Sequence, residues 1–179
     1  LACAQQGHIT YLPQSQILKR AGATLRYPVT IIDTVTKRSM TKDLIPDALF
    51  GLQYHTPTGN RFRFFAVEAD RATEPITSAN WNRKSLHRNV LQYDAYVAGG
   101  AYREHLNLTA PLLVMNVLSN RRRMDRMVEF VADWYRAGNA FMLFQAWEDF
   151  DRAFRPPDPQ SNLLLGCWER GGCPLFTVI

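Results

Sequence analysis

The chain has 179 residues and a formal charge of +5, from 21 Lys and Arg against 16 Asp and Glu. Its hydrophobic share of 46% and aromatic share of 12% exclude a disordered chain, and the length suits one well-buried core rather than two. No run of about 18 apolar residues is free of charges, so a membrane-spanning helix is not expected.

The predicted elements follow in chain order. Residues 1–6 read as the end of a helix whose start lies upstream, which makes the chain look like part of a longer protein. Gly7 stops that turn, and no secretory leader is legible there. Residues 8–12 predict a strand and 13–21 a short helix closed by Gly22. Residues 26–33 form a β-rich run, and the polar, basic stretch 34–42 predicts a loop. Residues 44–55 predict a strand with Pro46 near its start. Thr56-Pro57-Thr58-Gly59-Asn60 is a turn signal, and 61–70 is the returning arm of a hairpin.

A Thr- and Pro-rich turn follows at 72–78. Residues 80–97 predict a long amphipathic helix stopped by Gly99 and Gly100. The continuous apolar run 111–118 has the composition of a strand buried on both faces. Ser119 is the expected cap of a helix to about residue 136, with Met124, Met127, Val128, Val131, Trp134 and Tyr135 on one face. A further strand is expected at 141–146, a break at 155–158 and an apolar-rich tail from 162. Antiparallel strands first and strand–helix–strand units later predict an α/β class, with a mixed central sheet flanked by helices on both faces.

Three cysteines, Cys3, Cys167 and Cys173, are too few for a disulfide framework and point to a reducing, cytoplasmic setting. Cys167 and Cys173 lack zinc-site spacing and read as structural thiols, with a bridge between them as the lesser alternative. His8, His55, His87 and His105 make no ligand pair. No Gly-rich phosphate loop, zinc finger or helix-turn-helix is legible.

The chemistry concentrates in Pro46-Asp47 and Glu68-Ala69-Asp70-Arg71. Residues two apart on a strand share a face, so Glu68 and Asp70 project together. Asp47 and Glu68 stand at similar distances from the hairpin turn, which brings Asp47 beside Glu68. Three carboxylates at one sheet edge repel and call for a cation such as Mg²⁺ or Mn²⁺. The plainer reading is that Glu68 and Asp70 are strand-end charges solvated at the rim and offset by Arg71. On the following helix Lys84, Arg88, Gln92 and Tyr96 recur every fourth residue. That stripe could lie over the carboxylates, or be solvated and packed in the ordinary way. Basic clusters at Lys37, Arg38 and Lys42, and at Arg121, Arg122, Arg123 and Arg126, suit phosphate contact as well as they suit solvated faces.

Pro46-Asp47, Glu68-Ala69-Asp70 and Gln92-Tyr93-Asp94-Ala95-Tyr96 together resemble the PD-(D/E)XK nuclease superfamily. More narrowly, IPDALFGLQY, FRFFAVEADRATEP, RKSLHRNVLQYDAYV and PLLVMNVLSNRRRMDRMVEFV make the chain similar to the replication-relaxation family of plasmids and other bacterial mobile elements. The resemblance runs from residue 1 to about 150. It implies a restriction-endonuclease-like domain over residues 1–155, a tail at 156–179 packed on it, and a DNA-binding domain upstream. It further implies Mg²⁺ or Mn²⁺ held by Asp47, Glu68 and Asp70, with Lys84, Gln92 and Tyr96 completing a catalytic centre. Lys37, Arg38, Lys42, Arg71, Arg88, Arg121, Arg122 and Arg123 would contact DNA. The superfamily motif has Lys where this chain has Asp70, and Lys84 is the candidate to replace it. Two readings follow: a metal-dependent DNA-nicking domain, or a catalytically inactive module for DNA binding, regulation or homo-oligomer formation. A third, an interaction domain, rests on the apolar tail with Trp168 and Phe176.

Overall fold

A computed structural model describes residues 8–32, 39–70, 74–78, 83–147 and 162–179. The strands are β1 (Ile9–Pro13), β2 (Tyr27–Ile32), β3 (Ser39–Leu44), β4 (Ala48–Thr56), β5 (Gly59–Asp70), β6 (Leu112–Leu118), β7 (Met142–Ala146), β8 (Cys167–Arg170) and β9 (Cys173–Thr177). The helices are α1 (Gln14–Ala21), α2 (Leu86–Tyr93), α3 (Ala101–His105), α4 (Arg121–Trp134) and α5 (Asn162–Leu165), and α2 continues as a π-helical turn, Asp94–Ala98.

Seven strands form one mixed sheet in the order β1-β4-β5-β6-β7-β8-β9, and β2 and β3 form a separate ribbon. Pairing is antiparallel through β1, β4 and β5, parallel through β5, β6 and β7, and antiparallel again to β8 and β9. The mixed α/β architecture expected from the sequence is therefore present. All seven residues of β6 are buried, which its unbroken apolar run requires of a central strand covered on both faces.

The two crossovers step the same way across the sheet, and right-handed connections then place their helices on one face. Ile17, Val90, Tyr93, Tyr102, Met124, Met127 and Val131 accordingly share one core with Phe64, Ala66, Val114 and Phe144. The opposite face, with Leu52, Phe65, Leu113, Met115 and Leu143, is closed by Trp168 and Val178, with Leu163 and Leu164 of α5 against it. Among the described residues helices therefore lie on both faces, four against one core and the four-residue α5 against the other. The four longer helices share one core, and the C-terminal segment covers the other. Trp168 is fully buried there and donates its indole N–H to the Leu163 carbonyl at 3.0 Å.

Local boundaries differ from the sequence expectation for identifiable reasons. α1 ends where predicted, with Gly22 left-handed at φ 63°. The run 39–44 forms β3 rather than a loop, and Thr30 and Thr41 pair across the ribbon at 2.8 Å. α2 starts at Leu86, because the Ser85 hydroxyl caps it by accepting the Arg88 amide at 3.2 Å. Asn120, not Ser119, caps α4. α3 and the β8–β9 hairpin are too short to show a period. Their register puts Cys167 opposite Thr177 and Cys173 opposite Arg170. The two thiols are thus about three rungs, or roughly 10 Å, apart and out of bridging range. Among the described residues no helix is long and apolar enough to cross a membrane. The expectations for residues 1–7, Lys37, Arg38, Arg71 and 155–158 lie outside the described residues.

Candidate functional site

A cavity of about 530 Å³ opens beside the C-terminal ends of β5 and β6, lined by Asp47, Glu68, Asp70, Glu74, Lys84 and Asn89 among others. The hairpin builds its floor. Ala48 pairs with Val67, and the Asp47 amide continues the ladder to the Val67 carbonyl at 2.9 Å. The Asp47 side chain then turns back and its Oδ2 accepts the Ala69 amide at 2.7 Å. Asp47 therefore stands beside Glu68, as the hairpin count requires. On the other side Glu68 is in register with Asn116 of β6. The Asn116 side-chain amide donates to the Leu143 carbonyl at 3.2 Å and so ties the floor to β7.

Glu68 is 6% exposed. Its Oε1 accepts the Tyr93 hydroxyl at 2.5 Å, and its Oε2 lies 3.8 Å from the Lys84 ammonium. Lys84 also lies 3.5 Å from a Glu74 oxygen. Burial raises the Glu68 carboxyl from 4.5 to about 7; the Tyr93 hydroxyl and Lys84 oppose the rise, while Asp47 and Glu74 add to it. Burial pulls Lys84 down, but Glu68, Glu74 and Asp47 together outweigh it and the ammonium is held above its ordinary value. Tyr93 is pushed well above the usual phenol range by burial and by Glu68, so it remains a donor.

Asp70, at the end of β5, is paired across to α4. Its carboxylate receives Arg123 in a bidentate pair, Nε to Oδ1 at 3.0 Å and Nη2 to Oδ2 at 2.7 Å. The same Nη2 donates to the Glu74 carbonyl at 2.6 Å. Arg123, expected on DNA, is 7% exposed and internally paired. Asp70 thus lines the cavity with Asp47 and Glu68 while its carboxylate is paired with a guanidinium. Among the described residues no group of three His, Cys, Asp or Glu is arranged to hold a metal ion.

Gln92 and Tyr96 do not line the cavity. The Gln92 side-chain amide donates to the Lys42 and Asp43 carbonyls at 3.1 and 3.4 Å, holding β3. The Tyr96 hydroxyl meets His105 Nδ1 at 2.7 Å, and its ring lies 5.0 Å from that of Tyr27. The cause is helix phase. Lys84 precedes the Ser85 cap, so it belongs to no helical stripe. The residues of α2 turned to the site are Leu86, Asn89 and Tyr93. The sequence reading missed Asn89 and Tyr93, whose i, i+4 spacing was the available signal. It also missed Glu74 as a partner of Lys84.

Arg121 pairs with Asp125 at 2.8 Å and with Glu169 at 2.6 Å. Arg122 is exposed in the first turn of α4, Lys42 is half-buried in β3, and Arg88 is half-buried with its guanidinium pulled down by burial. Comparison of the chain with protein-family models, with curated proteins and with solved structures gave no match.

Proposed function

We propose that the chain is a DNA-binding, nuclease-like domain of a plasmid or mobile-element replication or relaxation protein, with a divalent-metal centre for phosphodiester cleavage. The observation that carries this reading is the meeting of Asp47, Glu68 and Lys84 in one cavity, on a hairpin whose ladder fixes the two carboxylates side by side. Their hard oxygen donors suit Mg²⁺ or Mn²⁺. Ala69 lines the same cavity, and its amide is directed at Asp47. A bound ion would supply Lewis acidity and a water of lowered pKa.

The chain's own residues do the rest. Tyr93 holds one Glu68 oxygen and fixes the carboxyl group's orientation. Lys84 carries positive charge on the cavity wall, where a phosphate oxygen would be drawn in and its developing charge stabilised. The lysine that the superfamily motif places on the strand is in this way delivered from the segment before α2.

A second reading is favoured by one observation, the closure of Asp70 by Arg123. It assigns the same cavity to a domain that binds DNA without cutting it. Supercoiled plasmid incubated with Mg²⁺ or Mn²⁺ separates the two. Nicking by the wild type, reduced at least 100-fold in Asp47→Ala, Glu68→Ala and Lys84→Ala, is the expected result. Nicking that survives all three changes overturns the centre. A gel shift without nicking establishes the second reading, and neither nicking nor a shift removes both.

A further inference from the structure

The cavity beside the ends of β5 and β6 contains one polar group that the proposed centre leaves unused. Asn116 is 3% exposed and lines that cavity with Asp47 and Glu68. It interrupts the otherwise apolar β6, Leu-Leu-Val-Met-Asn-Val-Leu. A buried carboxamide within a central strand is costly unless its polar atoms find partners. One arm of it does. The Asn116 Nδ2 donates to the Leu143 carbonyl at 3.2 Å and to the Val114 carbonyl at 3.5 Å. Those two carbonyls identify that arm as the nitrogen, because an oxygen there would face two acceptors. The other arm is therefore the oxygen. Among the described residues it accepts no hydrogen bond, and it is not sealed in the core.

Register sets its position. Asn116 stands opposite Glu68 across the parallel β5–β6 ladder, and in-register neighbours share a face about 4.8 Å apart. Asp47, bonded to the Ala69 amide, stands on the other side of Glu68. Glu68 is thus flanked by an oxygen donor on either side. A further carboxylate in the place of Asn116 would add like-charge repulsion, whereas an amide oxygen adds a ligand without it. Mg²⁺ is usually held by one or two carboxylates and completes its shell with other oxygens. A buried acceptor beside two acidic side chains, with no donor bonded to it, suits such an ion.

We infer that the Asn116 side-chain oxygen is a ligand of the divalent cation, beside Asp47 and Glu68. This assignment rests on the metal-centre reading of the cavity. Calorimetric titration of the full chain with Mn²⁺ alone tests it and reports on that reading separately. The wild type is expected to bind. Asp47→Ala, and Asn116→Leu, which removes the oxygen at similar volume, should each weaken binding by roughly 10-fold or more. Asn116→Asp keeps an oxygen and gives up the amide donor, and it should bind at least as tightly as the wild type.

No binding by the wild type overturns the metal centre and the Asn116 assignment with it. Weakened binding in Asp47→Ala beside unchanged binding in Asn116→Leu leaves the centre standing and overturns Asn116 as a ligand. A water on the same oxygen would give that result. Equal weakening in Asn116→Leu and Asn116→Asp shows that the amide only ties β6 to β7, and overturns the assignment too. If these variants do not fold, the wild type decides. Saturating Mg²⁺ is expected to shift the NMR resonance of the Asn116 carboxamide carbon more than that of Asn89, whose side chain lines the same cavity. An Asn116 carbon that stays in place at saturation overturns the assignment.

Discussion

Glu68 illustrates how a single buried carboxyl sets a pH dependence. Its carboxyl is raised from 4.5 to about 7, burial being the largest cause. The folded chain therefore holds this proton more tightly than the unfolded chain does. The contribution is unpenalised below pH 4.5, is lost as pH rises toward 7, and levels off above. At about 1.4 kcal/mol per unit the full loss is a little over 3 kcal/mol. Glu68→Gln keeps the neutral shape and removes the titration. In metal-free buffer, urea unfolding should find it more stable than wild type by up to about 3 kcal/mol at pH 8, and nearly equal at pH 4.5. A difference that does not change between those pH values would show that Glu68 does not hold the proton.

Between elements, the Asp70–Arg123 pair joins the end of β5 to the first turn of α4. The pair's side chains are 18% and 9% exposed, so removing one partner strands a charge that water reaches poorly. Arg123→Met is expected to cost about 3 kcal/mol, and adding Asp70→Asn should recover more than half of it. A double-mutant cycle by urea unfolding measures that coupling, and additive costs would mean that the two residues act independently. This pair also marks a limit of sequence reading. Asp70 and Arg123 are 53 positions apart, and no local signal joins them. Asp47 meeting Glu68 was legible, because counting from a turn fixes a hairpin register. The phase of α2 was not. It depends on Ser85 winning the cap, and a one-residue error in facing rotates every side chain by about 100°. That is why Tyr93, and not Gln92 or Tyr96, reaches the carboxylate.

For the whole molecule, the apolar runs of β5 and β6 and the amphipathic period of α4 were enough to indicate a mixed α/β sheet. The covering of its second face was hidden, because β8 and β9 are strands of four and five residues with no readable period. Yet Trp168 from this segment is as buried as any residue in the chain. A chain truncated after Trp147 would expose Phe65, Leu113, Met115 and Leu143 to water. It is expected to bind hydrophobic dye, lose cooperative thermal unfolding and aggregate. A soluble truncated chain with a sharp melt would show that the C-terminal segment is an accessory and not part of the core.

The β4–β5 hairpin carries a consequence in time. Its arms are joined by the two residues Pro57 and Thr58, whereas β5 pairs with β6 only after a loop of some forty residues closes. Loop-closure entropy favours the hairpin first. Asp47 and Glu68 then meet while both are still in water. Only when α2 settles and lays Tyr93 over the strand does Glu68 lose its solvent. Between pH 4.5 and 7 the chain thus takes up a proton late in folding, after the half of the cavity that the hairpin builds has already been formed.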